Sequence, residues 1–80
     1  MNDYSLKKLV EESGEVVQAT MKLMLHKDAK SLDAFVGELA DLQTFIRINV
    51  ARLPASQQMR FVKHTKSRMK REQKKGKING

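Results

Sequence analysis

The sequence has no cysteine, one proline, four glycines and only 5% aromatic residues in 80 positions. Without thiols the chain can form neither disulfides nor cysteine-ligated zinc sites, which fits a reducing cytoplasm. No uninterrupted apolar run exceeds three residues, far fewer than a bilayer-spanning helix needs. The amino terminus carries Asp3, Lys7 and Lys8 with no apolar segment behind them, so no secretory signal is expected. The composition predicts a soluble, cytoplasmic protein with no membrane segment.

Charge is distributed unevenly along the chain. Residues 1–59 carry a net charge of −1, whereas residues 60–80 carry +8. A basic segment of this kind favours partners rich in phosphate, because each neutralised phosphate releases counterions. Nucleic acid, bound through residues 60–77, is therefore one expected partner. Phe61 is the only aromatic residue of that segment, which is unlike a base-stacking platform.

Glycine and proline are sparse enough to favour long helices. We predict a first helix over about residues 4–26, a second from a cap at Ser31 to a stop at or just before Leu53, and a third from a cap at Ser56 to about residue 73. Asn2 or Asp3 is the expected cap of the first helix. The predicted fold class is all-α. It comprises an antiparallel helical hairpin plus a third, basic helix in one domain of residues 1–73, followed by a disordered basic tail at 74–80.

Both long helices carry apolar residues on two faces. The main stripes comprise Leu6, Leu9, Val10, Ser13, Val17, Thr20, Met21 and Met24 in the first helix, and Leu32, Phe35, Val36, Leu39, Leu42, Gln43, Ile46, Val50 and Leu53 in the second. A second strip contains Val16, Ala19 and Leu23 in the first helix, and Ala34, Phe45 and Ile48 in the second. One hairpin cannot cover both faces, so we predict a multi-helix bundle assembled as a homodimer or homotetramer.

Packing roles follow from the same pattern. Tyr4, Phe35 and the methionines are expected in the core. His26 and His64 have no second histidine at helical spacing, so we expect both at the surface rather than as metal ligands.

Four carboxylates border the second strip. Glu12 and Glu15 are three residues apart on the first helix, and Glu38 and Asp41 are three residues apart on the second. Each pair therefore lies on one side of its helix. Antiparallel packing can bring the pairs together, where repulsion and desolvation favour a divalent cation. Oxygen-only ligands select a hard ion such as Mg²⁺. The alternative is two ordinary solvent-exposed acid pairs.

The residues around these acids carry a family resemblance. The segment Leu9-Val10-Glu11-Glu12-Ser13-Gly14-Glu15-Val16-Val17-Gln18-Ala19, followed by Glu38-Leu39-Ala40-Asp41-Leu42, resembles the MazG-like all-α nucleoside triphosphate pyrophosphohydrolases. That family is marked by a Glu-x-x-Glu pair on one helix and a Glu-x-x-Asp pair on the next. The resemblance covers roughly residues 6–53. It implies that Glu12, Glu15, Glu38 and Asp41 are catalytic and bind Mg²⁺, and that Gly14 allows close packing beside them.

The resemblance also implies a reaction, the hydrolysis of a nucleoside triphosphate to a nucleoside monophosphate and pyrophosphate. Lys63 and Arg68, in the basic helix at about 56–73, fit the family's Lys-x(4)-Arg pattern and are the implied substrate-binding residues. Family members commonly have a further helix before the first acid pair, which helps to enclose the base. In this chain we expect that helix to be missing or supplied by a partner chain.

Position alone adds two candidate substrate-binding residues. Lys22 lies two helical turns after Glu15 and is a candidate phosphate ligand, with a solvated lysine as the alternative. Phe45 is a candidate for stacking on the base, with helix packing as the alternative. The rival functions are a small basic nucleic-acid-binding protein and a non-catalytic nucleotide- or protein-binding homologue.

Overall fold

Three α-helices make up the part of the chain that the structure, a computed structural model, describes: residues 3–76. They are α1 (Asp3–His26), α2 (Ala29–Ala51) and α3 (Ala55–Lys74), and no strand occurs within these residues. The predicted all-α class is confirmed. Lys74 belongs to α3 and residues 75–76 form a turn. Asn2 and residues 77–80 of the predicted tail lie outside the described residues.

The link between α1 and α2 is shorter than predicted, because Asp28 rather than Ser31 is the N-cap of α2. The Asp28 carboxylate accepts a hydrogen bond from the Ser31 amide at 2.8 Å, and the Ser31 hydroxyl accepts one from the Asp28 amide at 3.3 Å. This reciprocal capping box satisfies two amides that the helix leaves unpaired. The hydrogen bonds from Ser31 lower the pKa of Asp28. Lys27 turns the chain out of α1 with a positive φ of 51°.

The start of α3 also differs from the prediction. Pro54, not Ser56, occupies the N-cap position, and no side chain caps this helix. The Gln58 side chain instead donates to the Leu53 carbonyl at 2.9 Å and to the Ala51 carbonyl at 3.3 Å. These bonds satisfy carbonyls at the end of α2 and attach α3 to it. Within the described residues, α3 contacts α2 only sparsely, buries none of its own residues and makes no contact with α1.

The hairpin of α1 and α2 is antiparallel, as predicted, and it is built on one buried seam. Near the end of α2, Asn49 Nδ2 donates to the Ser5 carbonyl at the start of α1, at 3.0 Å. Residues spaced alternately four and three apart, all buried or half-buried, form what we call the inner seam: Ser5, Leu9, Glu12, Val16, Ala19 and Leu23 of α1, and Ser31, Phe35, Glu38, Leu42, Phe45 and Asn49 of α2. This spacing is the pattern of helices that pack side by side.

A second series with the same spacing lies one residue further along each helix and is mostly exposed. We call it the outer seam: Leu6, Val10, Ser13, Val17, Thr20 and Met24 of α1, and Leu32, Val36, Leu39, Gln43, Ile46 and Val50 of α2. Val10 is 74% exposed and Met24 68%. The hairpin thus buries the strip that carries the acids and leaves most of the main stripe open.

Several expected core residues are consequently on the surface. Tyr4 is 62% exposed, and Met21, Met24, Met59 and Met69 are all at least half exposed. Their assignment to the core is wrong for the single chain, whereas Phe35 is half-buried. His26 and His64 are exposed, as predicted. A Cβ atom at Gly14 would meet nothing within 4 Å, so the expected close packing at that glycine is also wrong for this chain.

The three helices lie in a single layer. The principal extents are 42 × 35 × 13 Å, and the shortest is close to the diameter of one helix. The radius of gyration is 15.0 Å, whereas about 12 Å is typical of a compact chain of this length. Within residues 3–76, no helix combines the length and the apolar composition that crossing a bilayer demands.

Candidate metal site between α1 and α2

Two charged residues occupy positions of the inner seam that ordinarily take apolar side chains. Glu12 of α1 is only 7% exposed, and Glu38 of α2 is half-buried. Their Oε2 atoms are both buried and have no hydrogen-bond partner. Burying an ionised carboxylate without a partner is costly, so this arrangement calls for a positive charge or a proton at the same place.

Glu15 completes a cluster of three carboxyl groups. It follows Glu12 by three residues and is exposed at the edge of the seam. One oxygen from each of Glu12, Glu15 and Glu38 lies within 4.8 Å of the others. We call these three residues the acid cluster. The packing of the helices therefore brings together three of the four acids that the sequence singled out.

The pKa values of two members of the acid cluster are raised by burial and by the neighbouring carboxyl groups. A hydrogen bond to the Glu38 carboxyl and the charge of that group raise the pKa of Glu15. Burial, followed by the charges of Glu15 and Asp41, raises the pKa of Glu12, and Lys8 opposes this effect. A proton shared within the cluster relieves the repulsion when no cation is bound.

Asp41 belongs to the surroundings of the cluster. It is exposed on α2, one turn after Glu38, and it lies outside the three-residue group. Its charge nevertheless acts on Glu12. Of the four predicted ligands, Asp41 is therefore the one that the hairpin leaves at the border.

Lys8 is a neighbour of the cluster that the sequence analysis missed. Its ammonium lies 3.7 Å from Glu12 Oε1 and 3.1 Å from Glu11 Oε2. It also sits over the Phe45 ring, 5.5 Å from the ring centroid. The hydrogen bond to Glu11 raises the pKa of Lys8. The spacing of Lys8 and Glu12, four residues apart on one helix, was a signal that could have found it.

Of the four predicted substrate-binding residues, Phe45 lies beside the cluster and the other three lie elsewhere. Phe45 lies half-buried in the inner seam beneath Lys8. Lys22 lines a cleft at the α1–α2 turn with His26 and Ser31. Lys63 and Arg68 are exposed on α3, which does not contact α1 and its two cluster glutamates.

Asn49 closes the inner seam at its far end and was not predicted either. It is 5% exposed, and its Nδ2 also donates to the Phe45 carbonyl at 2.7 Å. Through these bonds it fixes the level of α2 against α1, and therefore the level at which Glu38 faces Glu12. Nothing in the sequence pattern distinguishes it from a polar surface residue.

The donor set fits a small, hard divalent cation. All three groups offer carboxylate oxygens, which Mg²⁺ prefers, and two buried oxygens are without partners. Opposite ligands of one Mg²⁺ are about 4.2 Å apart. Three ligands of one octahedral ion include at least two adjacent pairs, which are about 3.0 Å apart. The three oxygens, which lie within 4.8 Å of one another, would coordinate one Mg²⁺ after side-chain rotations that draw them together.

Comparison with known proteins identifies no relative, since no family model, no curated protein and no solved structure matches this chain. The geometry of the acid cluster therefore carries the functional argument.

Proposed function

We propose that this chain is a Mg²⁺-dependent nucleoside triphosphate pyrophosphohydrolase that acts as a homodimer or homotetramer. It would release a nucleoside monophosphate and pyrophosphate. The observation that supports the proposal is the pair of buried, unpartnered carboxylate oxygens of Glu12 and Glu38 on facing helices. A helical hairpin gains nothing from two such oxygens in its seam, whereas a metal-binding hydrolase needs them.

The acid cluster would hold the ion, with Asp41 at its border. When bound, Mg²⁺ supplies neutralisation of the triphosphate charge and a lower pKa for a coordinated water. Glu12 is buried and Glu38 half-buried, so these two members would fix the position of the cation. Their placement on two packed helices keeps the site rigid.

Glu15 is the member best placed to move a proton. It is exposed at the edge of the cluster, where a water can reach it, and its pKa is raised by Glu38. In the proposed reaction Glu15 accepts the proton of the attacking water. The water oxygen bonds to one phosphorus of the α–β link and the bond from that phosphorus to the bridging oxygen breaks. The electron pair stays on the bridging oxygen, so that the products are a nucleoside monophosphate and pyrophosphate.

Lys8 would act on the substrate rather than on the water. Its side chain is half-buried, with the ammonium beside Glu12, and its second partner, Glu11, is exposed. An exposed ion pair of this kind is worth little, so Lys8 can exchange Glu11 for a phosphate oxygen at small cost. The Phe45 ring beneath Lys8 would then border the bound nucleotide.

The test is pyrophosphate release from a panel of ribo- and deoxyribonucleoside triphosphates, with Mg²⁺ and with EDTA. We expect release of pyrophosphate, rather than of single phosphates, from at least one triphosphate, and none in EDTA. Stabilisation by Mg²⁺ and nucleotide without release would leave a non-catalytic nucleotide-binding homologue. If Mg²⁺ and nucleotide neither stabilise the chain nor give release, the proposal is contradicted. That outcome would favour nucleic-acid binding through the exposed basic face of α3.

A further inference from the structure

The outer seam is an uncharged, mostly apolar face on one side of the hairpin, with Ser13, Thr20 and Gln43 as its polar members. Its Gln43, Ile46 and Val50 border a cleft that is also lined by Phe61 of α3. Helical geometry places it about 100° from the inner seam on each helix, because each of its members follows an inner-seam residue directly. In an antiparallel pair both outer seams then lie on the same side. Leu6, Val17 and Val36 are all more than 40% exposed there. Monomeric proteins rarely expose a contiguous apolar patch of this kind.

The residue pattern of this face is that of a helix-packing surface. No position of the outer seam carries a charge, although 31% of the whole chain is charged. Its alternating four- and three-residue spacing repeats that of the inner seam. The inner seam shows that this spacing packs one helix of this chain on another, so the outer seam suits a further pair of helices.

The exposed area indicates how much surface a partner should cover. The chain exposes 6585 Å², whereas a folded monomer of its mass exposes about 4,900 Å². The excess of about 1,700 Å² per chain falls within the range of about 1,000–2,500 Å² that each subunit of a permanent dimer buries. Since α3 has no buried residue, it contributes to this excess, and a second hairpin on the outer seam would remove the part that the first hairpin exposes.

We propose that a second copy of this chain covers the outer seam, so that two hairpins form an isologous four-helix bundle. A charge-free face gives a charged ligand nothing to bind, but it is complementary to itself across a two-fold axis. The two layers would enclose the core that a single layer lacks. This assignment selects the dimer over the tetramer and names its surface, and it stands whether or not the chain hydrolyses nucleotides.

The arrangement has a consequence for the acid cluster. Glu15 and Asp41 precede the inner-seam direction on their helices by roughly 80°, on the side away from the outer seam. The dimer would therefore carry two acid clusters on its opposite outer surfaces, each accessible to its own substrate. A charge placed in the outer seam should break the dimer without touching either cluster.

The test compares the mass in solution of the wild type with that of two matched variants. Val36→Glu places a charge in the outer seam, and Thr44→Glu places one outside that seam, about 120° around the same helix from its mean direction. Both replace an exposed β-branched residue by glutamate. By multi-angle light scattering at about 100 μM, we expect the wild type and T44E at twice the 9.2 kDa chain mass, and V36E at the single mass.

A second measurement covers the outcome in which V36E unfolds. The melting temperature of the wild type should then rise with protein concentration, because association stabilises the folded chain by mass action. A folded wild-type monomer with a concentration-independent melting temperature would overturn the proposal. So would a V36E chain that keeps the wild-type mass.

Discussion

Replacing Glu38 by glutamine is expected to reduce pyrophosphate release by at least about 100-fold without unfolding the chain. Glu38 contributes one of the two buried carboxylate oxygens that have no partner, and it faces Glu12 and Glu15 across the inner seam. The amide keeps the size of the side chain but removes the negative charge that a divalent cation requires. The measurement is kcat/KM for the preferred triphosphate, with a circular dichroism melt of the same samples.

The matched control for this variant is Asp33→Asn, which neutralises an exposed acid on the same helix outside the cluster. It should retain nearly all of the activity. The melting temperature of Glu38→Gln in EDTA should be at least that of the wild type, because the substitution removes a charge that repels Glu15. Activity that survives in Glu38→Gln would contradict the assigned site.

Raising the pH should destabilise the metal-free chain and stabilise the chain in saturating Mg²⁺. Burial raises the pKa of Glu12, and Glu38 raises that of Glu15, above the ordinary value of 4.5. Without metal the folded chain therefore holds protons more tightly than the unfolded chain. The stabilisation from these protons is complete below pH 4.5 and is lost as the pH rises through the folded-state pKa values. In EDTA the melting temperature should fall as the pH is raised from 4.5 to 8.

With saturating Mg²⁺ the trend should reverse, because the cation binds the deprotonated carboxylates and its affinity increases with pH. The measurement is a series of thermal melts at fixed protein concentration, with Mg²⁺ and with EDTA. The double variant Glu12→Gln/Glu15→Gln should lose both trends. Parallel curves with and without Mg²⁺ would contradict a metal site among these residues.

Much of the architecture could be predicted because it depends on local signals. Sparse glycine and proline gave the three helices, and Pro54 placed the end of α2 to within two residues. The i, i+3 spacing put each acid pair on one side of its helix, and antiparallel packing could then bring the pairs together. The structure brings Glu12, Glu15 and Glu38 together and leaves Asp41 outside the group. The caps were harder to predict because Asp28 and Ser31 are both good N-cap residues, and only the reciprocal bond between them decides which one begins the helix.

The choice of packing face could not be predicted from periodicity. Two series with the same spacing lie one residue apart on each helix, and the more apolar one is the outer seam. The inner seam instead carries three small, buried residues, Ser5, Ala19 and Ser31, which allow the helices to approach closely. Hydrophobicity ranks the outer seam first, but a hairpin can bury only one series, and the other stays mostly exposed in the single chain.

The most direct test of the acid cluster is a titration of the chain with Mn²⁺, a hard ion with the same preference for oxygen ligands. Binding is measured from the loss of the paramagnetic resonance signal of the free ion. The wild type should remove one Mn²⁺ per chain and release it to excess Mg²⁺. Glu12→Gln should bind none, while Glu11→Gln, a change of the same type at the adjacent exposed position, should bind as the wild type does. Equal binding by the two variants, or none by the wild type, would contradict a metal site between α1 and α2.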